Sequence, residues 1–286
     1  GLGGEFPGEG AGAAVARGEL GAAGVRGGLD DLGMGEVAVQ PAAALRERLA
    51  DVDAMLQFAR RQLSLEPKRR YSSYVGIDSP YVVWNVFATD EFSTRPTQWC
   101  YPIAGCAAYR GYFHARDANR LAQRLIVTQH DATVGGVAAY STLGWFDDPL
   151  LSTFIKWPKS ELAGLIFHEL AHGRVFIGGD TSFNEALATF VERRGVVEWL
   201  RSQRDADGIA RVEARWSASD LLAEYLLNWR AQLQRLYDQP YDTVVLRLLK
   251  GEMMSELGRC YEQNRSLLGG GAADWFFRDP VNNARL

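Results

Sequence analysis

One pentapeptide limits the folds open to this 286-residue chain more than any other part of it: His168-Glu169-Leu170-Ala171-His172, set inside the apolar run Leu162–Ala171. Ala163, Ile166, Phe167, Leu170 and Ala171 recur at helical spacing and predict a buried helix, with Gly164, His168 and His172 on another stripe. Pro158 and Ser160 are start signals for that helix, and Gly178-Gly179 is its break. A helix turns about 100° per residue, so His168 and His172 fall about 40° apart and one turn, about 5.4 Å, from each other. Two imidazoles so placed can share one tetrahedral Zn²⁺ at roughly 2.0–2.1 Å each. Glu169 falls on the same side, where a carboxylate can take a proton from water activated by the metal. The bland alternative is two partly buried histidines on a core helix. Against it, the chain has only four histidines, and two of them take this spacing.

A catalytic zinc usually has three protein ligands and keeps one position open. The neighbouring candidate is Glu185, in Ser182-Phe-Asn-Glu-Ala-Leu-Ala-Thr-Phe-Val-Glu192. If the metal helix runs to about Phe176 and a second helix returns antiparallel after the glycine break, Glu185 comes back to the level of His172. Ser182-x-x-Glu185 is also a capping box, in which the glutamate would only satisfy backbone N–H groups. Asp180 is the reserve ligand. Glu192 returns to the Glu185 face two turns later, where it can orient a ligand histidine through its other nitrogen. The alternative for Glu192 is a solvated carboxylate beside Arg193 and Arg194. One Zn²⁺ per chain is the cofactor expected from this pattern.

With 47% hydrophobic and 23% charged residues, the chain can build one or two globular cores. A net charge of −4 and a pI near 5.7 argue against a nucleic-acid surface. Lys68-Arg69-Arg70 and Arg60-Arg61 read as the solvated end of a helix. No apolar run is long enough to predict a transmembrane helix. Residues 1–40 stand apart, holding 13 of the 30 glycines, with Phe6 and Pro7 their only aromatic and proline residues. Such a segment cannot bury enough apolar surface to offset its ordering entropy. It shows no signal-peptide pattern. It is either a disordered linker or artefactual, such as translation in the wrong frame.

From Ala42 to Leu65 apolar residues recur at helical spacing. Tyr81–Phe87, Gly105–Phe113 and Ala132–Ala139 read as strands, with a helix at Ala115–Thr128. After the metal helix and its partner, Phe183 to about Ser202, further helices are predicted around Leu222–Leu236 and Thr243–Gln263. The expected class is therefore α+β, a small mixed sheet followed by a mainly helical C-terminal region. Cys100 and Cys106 flank a Tyr-Pro-Ile-Ala-Gly turn and could pair if the compartment is oxidising; they lack the CxxC spacing of a structural zinc site. Cys260 reads as a buried core residue.

His-Glu-x-x-His followed by Asn-Glu-Ala-x-Ala-x-Phe-x-Glu resembles the gluzincin clan of metallopeptidases. The 12 residues between His172 and Glu185 are fewer than in its thermolysin and aminopeptidase branches. A narrower resemblance is to a family of predicted bacterial zinc aminopeptidases, many of them lipoproteins. It is carried by Pro80–Phe87, Trp99–Phe113, Gly135–Pro149 and Leu165–Glu192, and extends over roughly residues 41–286. The resemblance implies a zincin-like metallopeptidase domain there, with His168, His172 and Glu185 on zinc, Glu169 as general base and a peptide substrate. It also implies export to the cell envelope or periplasm, favouring a Cys100–Cys106 disulfide, with membrane tethering by a lipid anchor absent from this sequence. Because it further implies more helix beyond Leu286, the domain is expected to be C-terminally incomplete.

Zincins of this kind place an edge strand before the metal helix, so Gly136, Val137, Ala138 and Tyr140 are candidates for aligning a peptide by backbone pairing. A plain strand ending at a glycine turn is the alternative. The tetrahedral oxyanion needs a donor besides zinc, and Tyr140 and Tyr225 are candidates. Asp147-Asp148-Pro149 is an anchor for a substrate amine or, more simply, a turn. Three functions stay open: a zinc aminopeptidase, a zinc endopeptidase acting on proteins or envelope peptides, and a non-enzymatic scaffold stabilised by metal. The intact Glu169 weighs against the last, since a structural site needs no base.

Overall fold

The computed structural model describes residues 43–101, 105–139, 147–178, 180–277 and 280–286. Residues 1–40 and Tyr140 therefore lie outside the described residues. In chain order the main elements are α1 (Ala43–Gln62), β1 (Tyr74–Val75), β2 (Val83–Asp90), β3 (Trp99–Tyr101), β4 (Gly105–Ala107), β5 (Arg110–Tyr112), α2 (Ala115–Val127) and β6 (His130–Val137). They are followed by β7 (Leu150–Leu151), α3 (Lys159–Arg174), α4 (Thr181–Ser202), α5 (Ala206–Tyr237), α6 (Thr243–Asn264) and the short α7 (Asp274–Phe277). The fold is α+β, with small sheets and mostly helix after residue 158. No helix among the described residues is long and apolar enough to cross a membrane.

The chain divides into two compact units. Among the described residues, the first comprises 43–82 and Val137–Val212 and holds the histidine helix. Every residue of α3 from Leu162 to His172 is buried, as expected of a helix packed on several sides. Leu162, Ile166, Phe167 and Leu170 are at most 1% exposed, as are Val52, Met55 and Ala59 of α1. Phe58 and Phe167 bring their rings to 5.9 Å. Helix α4 approaches closely because Gly195 has no side chain: a Cβ there would stand 2.9 Å from atoms of both Leu63 and Phe167. Parallel strands β1 and β7 pair Tyr74 with Leu150 and Val75 with Leu151. Arg48 of α1 donates to the Ile155 and Trp157 carbonyls, holding α1 against the entry to α3.

The second unit comprises Val83–Gly136 and Glu213–Leu286. Its sheet has the order β5-β2-β6. Helix α2 covers one face, where Val86, Ala88, Ala118, Ala122 and Ala132 form a core. The single strand expected at residues 105–113 serves two partners. Gly105–Ala107 pairs with β3, and after a bend at Ala108-Tyr109 the segment Arg110–Tyr112 pairs with β2. Helices α5 and α6 meet around Tyr261, Leu222 and Tyr225. Cys260, expected in the core, is only partly buried, and its Sγ faces Glu256 at 3.3 Å. The final residues bind the sheet: Asn283 N–H donates to Asp131, its side-chain amide donates to the Glu91 carbonyl, and its Oδ1 accepts from the Tyr237 hydroxyl.

Candidate metal centre

Helix α3 ends at Arg174, two residues before the expected end, where Val175 turns to extended backbone. Helix α4 begins at Thr181 with Asp180 as its N-cap, the Asp180 carboxylate accepting the Phe183 N–H at 3.0 Å. Asp180 is thus a cap, and Ser182 lies inside the helix. Glu185 sits a full turn past the cap, too deep to close a capping box with Ser182. The loop between the helices is fixed by a residue the sequence reading passed over. Buried Asn184 accepts the Ile177 N–H and donates to the Ile177 carbonyl, both at 2.8 Å. This two-point clamp sets the start of α4 and so the place of Glu185 beside it.

The returning helix brings Glu185 to the histidine stripe. Glu185 Oε2 lies 3.5 Å from His168 Nε2, and Oε1 lies 4.0 Å from His172 Nε2. One donor atom from each of His168, His172 and Glu185 falls within 4.8 Å of the others. A tetrahedral zinc with bonds of about 2.0–2.1 Å sets its ligand atoms roughly 3.3 Å apart. The three donors therefore fit such an ion after a small inward movement. The two imidazoles stand edge to face with ring centres 4.8 Å apart, as neighbours one helical turn apart can.

On its far side His168 meets the second carboxylate of α4, Glu192 Oε2 standing 3.0 Å from Nδ1. A carboxylate only accepts, so that bond places a proton on Nδ1 and leaves Nε2 as the nitrogen that could bind a metal once its own proton is displaced. Space for it comes from Gly164, one turn before His168: a Cβ there would lie 3.2 Å from Glu192 Oε1. Glu169, 2% exposed, is buried next to His168. Burial alone would lower the His168 pKa, but hydrogen bonds to Glu185 and Glu192, with Glu169 adding to them, lift it to about 9. The field of these carboxylates favours a cation at this spot, consistent with a metal site. Replacing Glu192 by glutamine, which keeps the shape and removes the charge, should weaken the binding of an added metal ion such as zinc roughly 10- to 100-fold. Competition against a chromophoric chelator would measure it.

The other sequence candidates have local partners of their own. Gly136 and Val137 end β6, an edge strand among the described strands, and Ala138 follows it. The Val137 carbonyl accepts from Val82 N–H and the Ala138 carbonyl from Thr153 Oγ1. Tyr225 lies on α5, where its hydroxyl donates to the Leu257 carbonyl of α6, and burial pushes its pKa up to about 12. Cys100 and Cys106 are joined by a disulfide across the β3–β4 pair. Asp147 pairs with Arg69 at 3.1 Å, while Asp148 is buried and its carbonyl accepts from Tyr71 N–H. Arg70, read from sequence as solvated, is 5% exposed and lies against α3. No local pattern marks it, because its partner is 99 residues away.

The class defined so far is an α+β fold in which two histidines of a buried helix and a carboxylate of the next helix could hold a metal ion. Residues 37–286 match the family model described as "Putative aminopeptidase", and the chain belongs to that family. No match was found among curated proteins or among solved structures. Membership supports a peptidase-like function.

Proposed function

We propose that this protein is a zinc-dependent peptide hydrolase, and specifically an aminopeptidase. The observation that carries this reading is the convergence of His168, His172 and Glu185 within 4.8 Å, with Glu169 buried on the same helix between the two histidines. His168 and His172 would hold the ion through Nε2 and Glu185 through its carboxylate. The ion would supply Lewis acidity, making water easier to deprotonate and polarising a peptide carbonyl. Glu169 takes the proton from the attacking water and returns it to the departing amine, so one carboxylate serves as base and then as acid. Glu192 keeps His168 in the tautomer that presents Nε2. The family description supports amino-terminal cleavage over internal cleavage. A Cys100–Cys106 disulfide fits an oxidising compartment such as the cell envelope.

The test is hydrolysis of matched peptides with free and acetylated amino termini, with and without a zinc chelator. The reading predicts turnover of the free peptides, abolished by chelation and restored by zinc, and little turnover of the acetylated ones. Equal cleavage of both would point to the endopeptidase alternative. Cleavage indifferent to chelation would overturn the metal mechanism.

A further inference from the structure

Arg70 is a cation where a cation is costly. The residue is 5% exposed. A guanidinium removed from water needs compensation by well-placed acceptors. Here these are main-chain carbonyls: Nη1 donates to Glu169 O at 3.0 Å, and Nη2 reaches Glu66 O at 3.5 Å. The first lies toward the C-terminal end of α3, where the helix dipole favours positive charge. Helix α3 makes room for it. Gly173 has no side chain, and a Cβ there would land on the guanidinium, 2.8 Å from Cζ. Gly173 follows His172 directly, and Glu169 follows His168, so the guanidinium covers the turn that carries the whole motif.

The backbone that delivers Arg70 is strained. Lys68 and Tyr71 both lie in the left-handed region, with φ of 54° and 61°, a conformation unusual for bulky residues and concentrated at functional sites. Arg70 N–H closes the turn on Pro67 O, and Tyr71 N–H is fixed to Asp148 O at 2.7 Å. Burial raises the Tyr71 hydroxyl pKa well above its usual value, with Glu169 and Asp148 adding to the effect and Arg70 opposing it. Arg70, Tyr71 and Asp148 thus share one buried neighbourhood with Glu169.

We propose that Arg70 is a positioning residue for Glu169, clamping the main chain of the His168–His172 turn, and that Gly173 is the seat it requires. This rests on the reading of Glu169 as general base. Arg70 does not touch substrate; it acts by holding the Glu169 backbone, and hence the carboxylate, in place.

The experiment compares zinc-loaded wild type, Arg70→Met, Gly173→Ala, the double variant and the exposed control Arg69→Met. Three quantities are measured for each: zinc affinity, kcat and KM on a free dipeptide, and amide hydrogen exchange of the peptide spanning 165–176. Arg70→Met and Gly173→Ala are each expected to lower kcat about 10- to 100-fold. Zinc affinity and KM should stay within about threefold. Exchange of the 165–176 peptide should quicken, and the double variant should be no worse than the worse single, since both remove one contact. Arg69→Met should match wild type throughout. Unchanged kcat with unchanged exchange, or additive losses in the double variant, would overturn the proposal. So would loss of zinc or exchange quickened across the whole chain, which would mark a general structural role. If wild type itself hydrolyses nothing, the functional reading fails, while local exchange still decides whether Arg70 clamps the turn.

Discussion

Glu169→Gln should keep its zinc and lose its turnover, with kcat falling roughly 10²- to 10⁴-fold, the usual share of a general acid–base group. Glutamine matches the shape of glutamate, and Glu169 is 2% exposed in a closely packed helix, so the substitution leaves no cavity and adds no bulk. It does remove the group that accepts a proton. KM should move little, because a substrate bound through its backbone and amine does not depend on that carboxylate. Melting of the variant in parallel with wild type would separate lost chemistry from lost fold. Metal analysis would separate lost chemistry from lost metal. A variant that binds zinc and keeps full kcat would remove Glu169 from the mechanism.

His172→Ala should fail one step earlier. Of the three donors only Glu185 has a side chain with appreciable exposure, 26%, against 8% for His168 and 1% for His172. Without the His172 imidazole the ion would keep two protein ligands. Each ligand carries roughly a third of a binding free energy on the order of 10 kcal/mol, so zinc affinity should drop roughly 10²- to 10³-fold. Activity should vanish at stoichiometric zinc and return partly when zinc is raised far above the wild-type requirement. Glu169→Gln should show no such return at any zinc concentration. Equilibrium dialysis with hydrolysis measured on the same samples would distinguish the two signatures.

The helices were legible because their apolar residues recur over many turns, and α1, α2, α3, α4 and α6 lie close to where periodicity put them. The strand at 105–113 was misread as continuous, because alternation records only which face is buried. It does not tell which neighbour pairs, and here one segment serves two sheets. At the candidate site, His168, Glu169 and His172 follow from helical spacing alone. The approach of Glu185 follows once a tight hairpin is assumed. That hairpin depends on the Asn184 clamp and on Gly195, and neither residue is distinctive until two helices are packed together. Arg70 was the deepest error. Three consecutive basic residues suggest a solvated end, whereas the last of them, Arg70, points inward onto a glycine 103 positions later in the chain.

The most direct test of the account is a stoichiometric titration of metal-free protein with zinc, with hydrolysis of a free dipeptide followed at each addition. Activity should rise in proportion to zinc and level off at one equivalent, while Glu169→Gln takes up the same single equivalent and stays inactive. Turnover by the metal-free protein, or a Glu169→Gln variant as active as wild type at one equivalent, would contradict it.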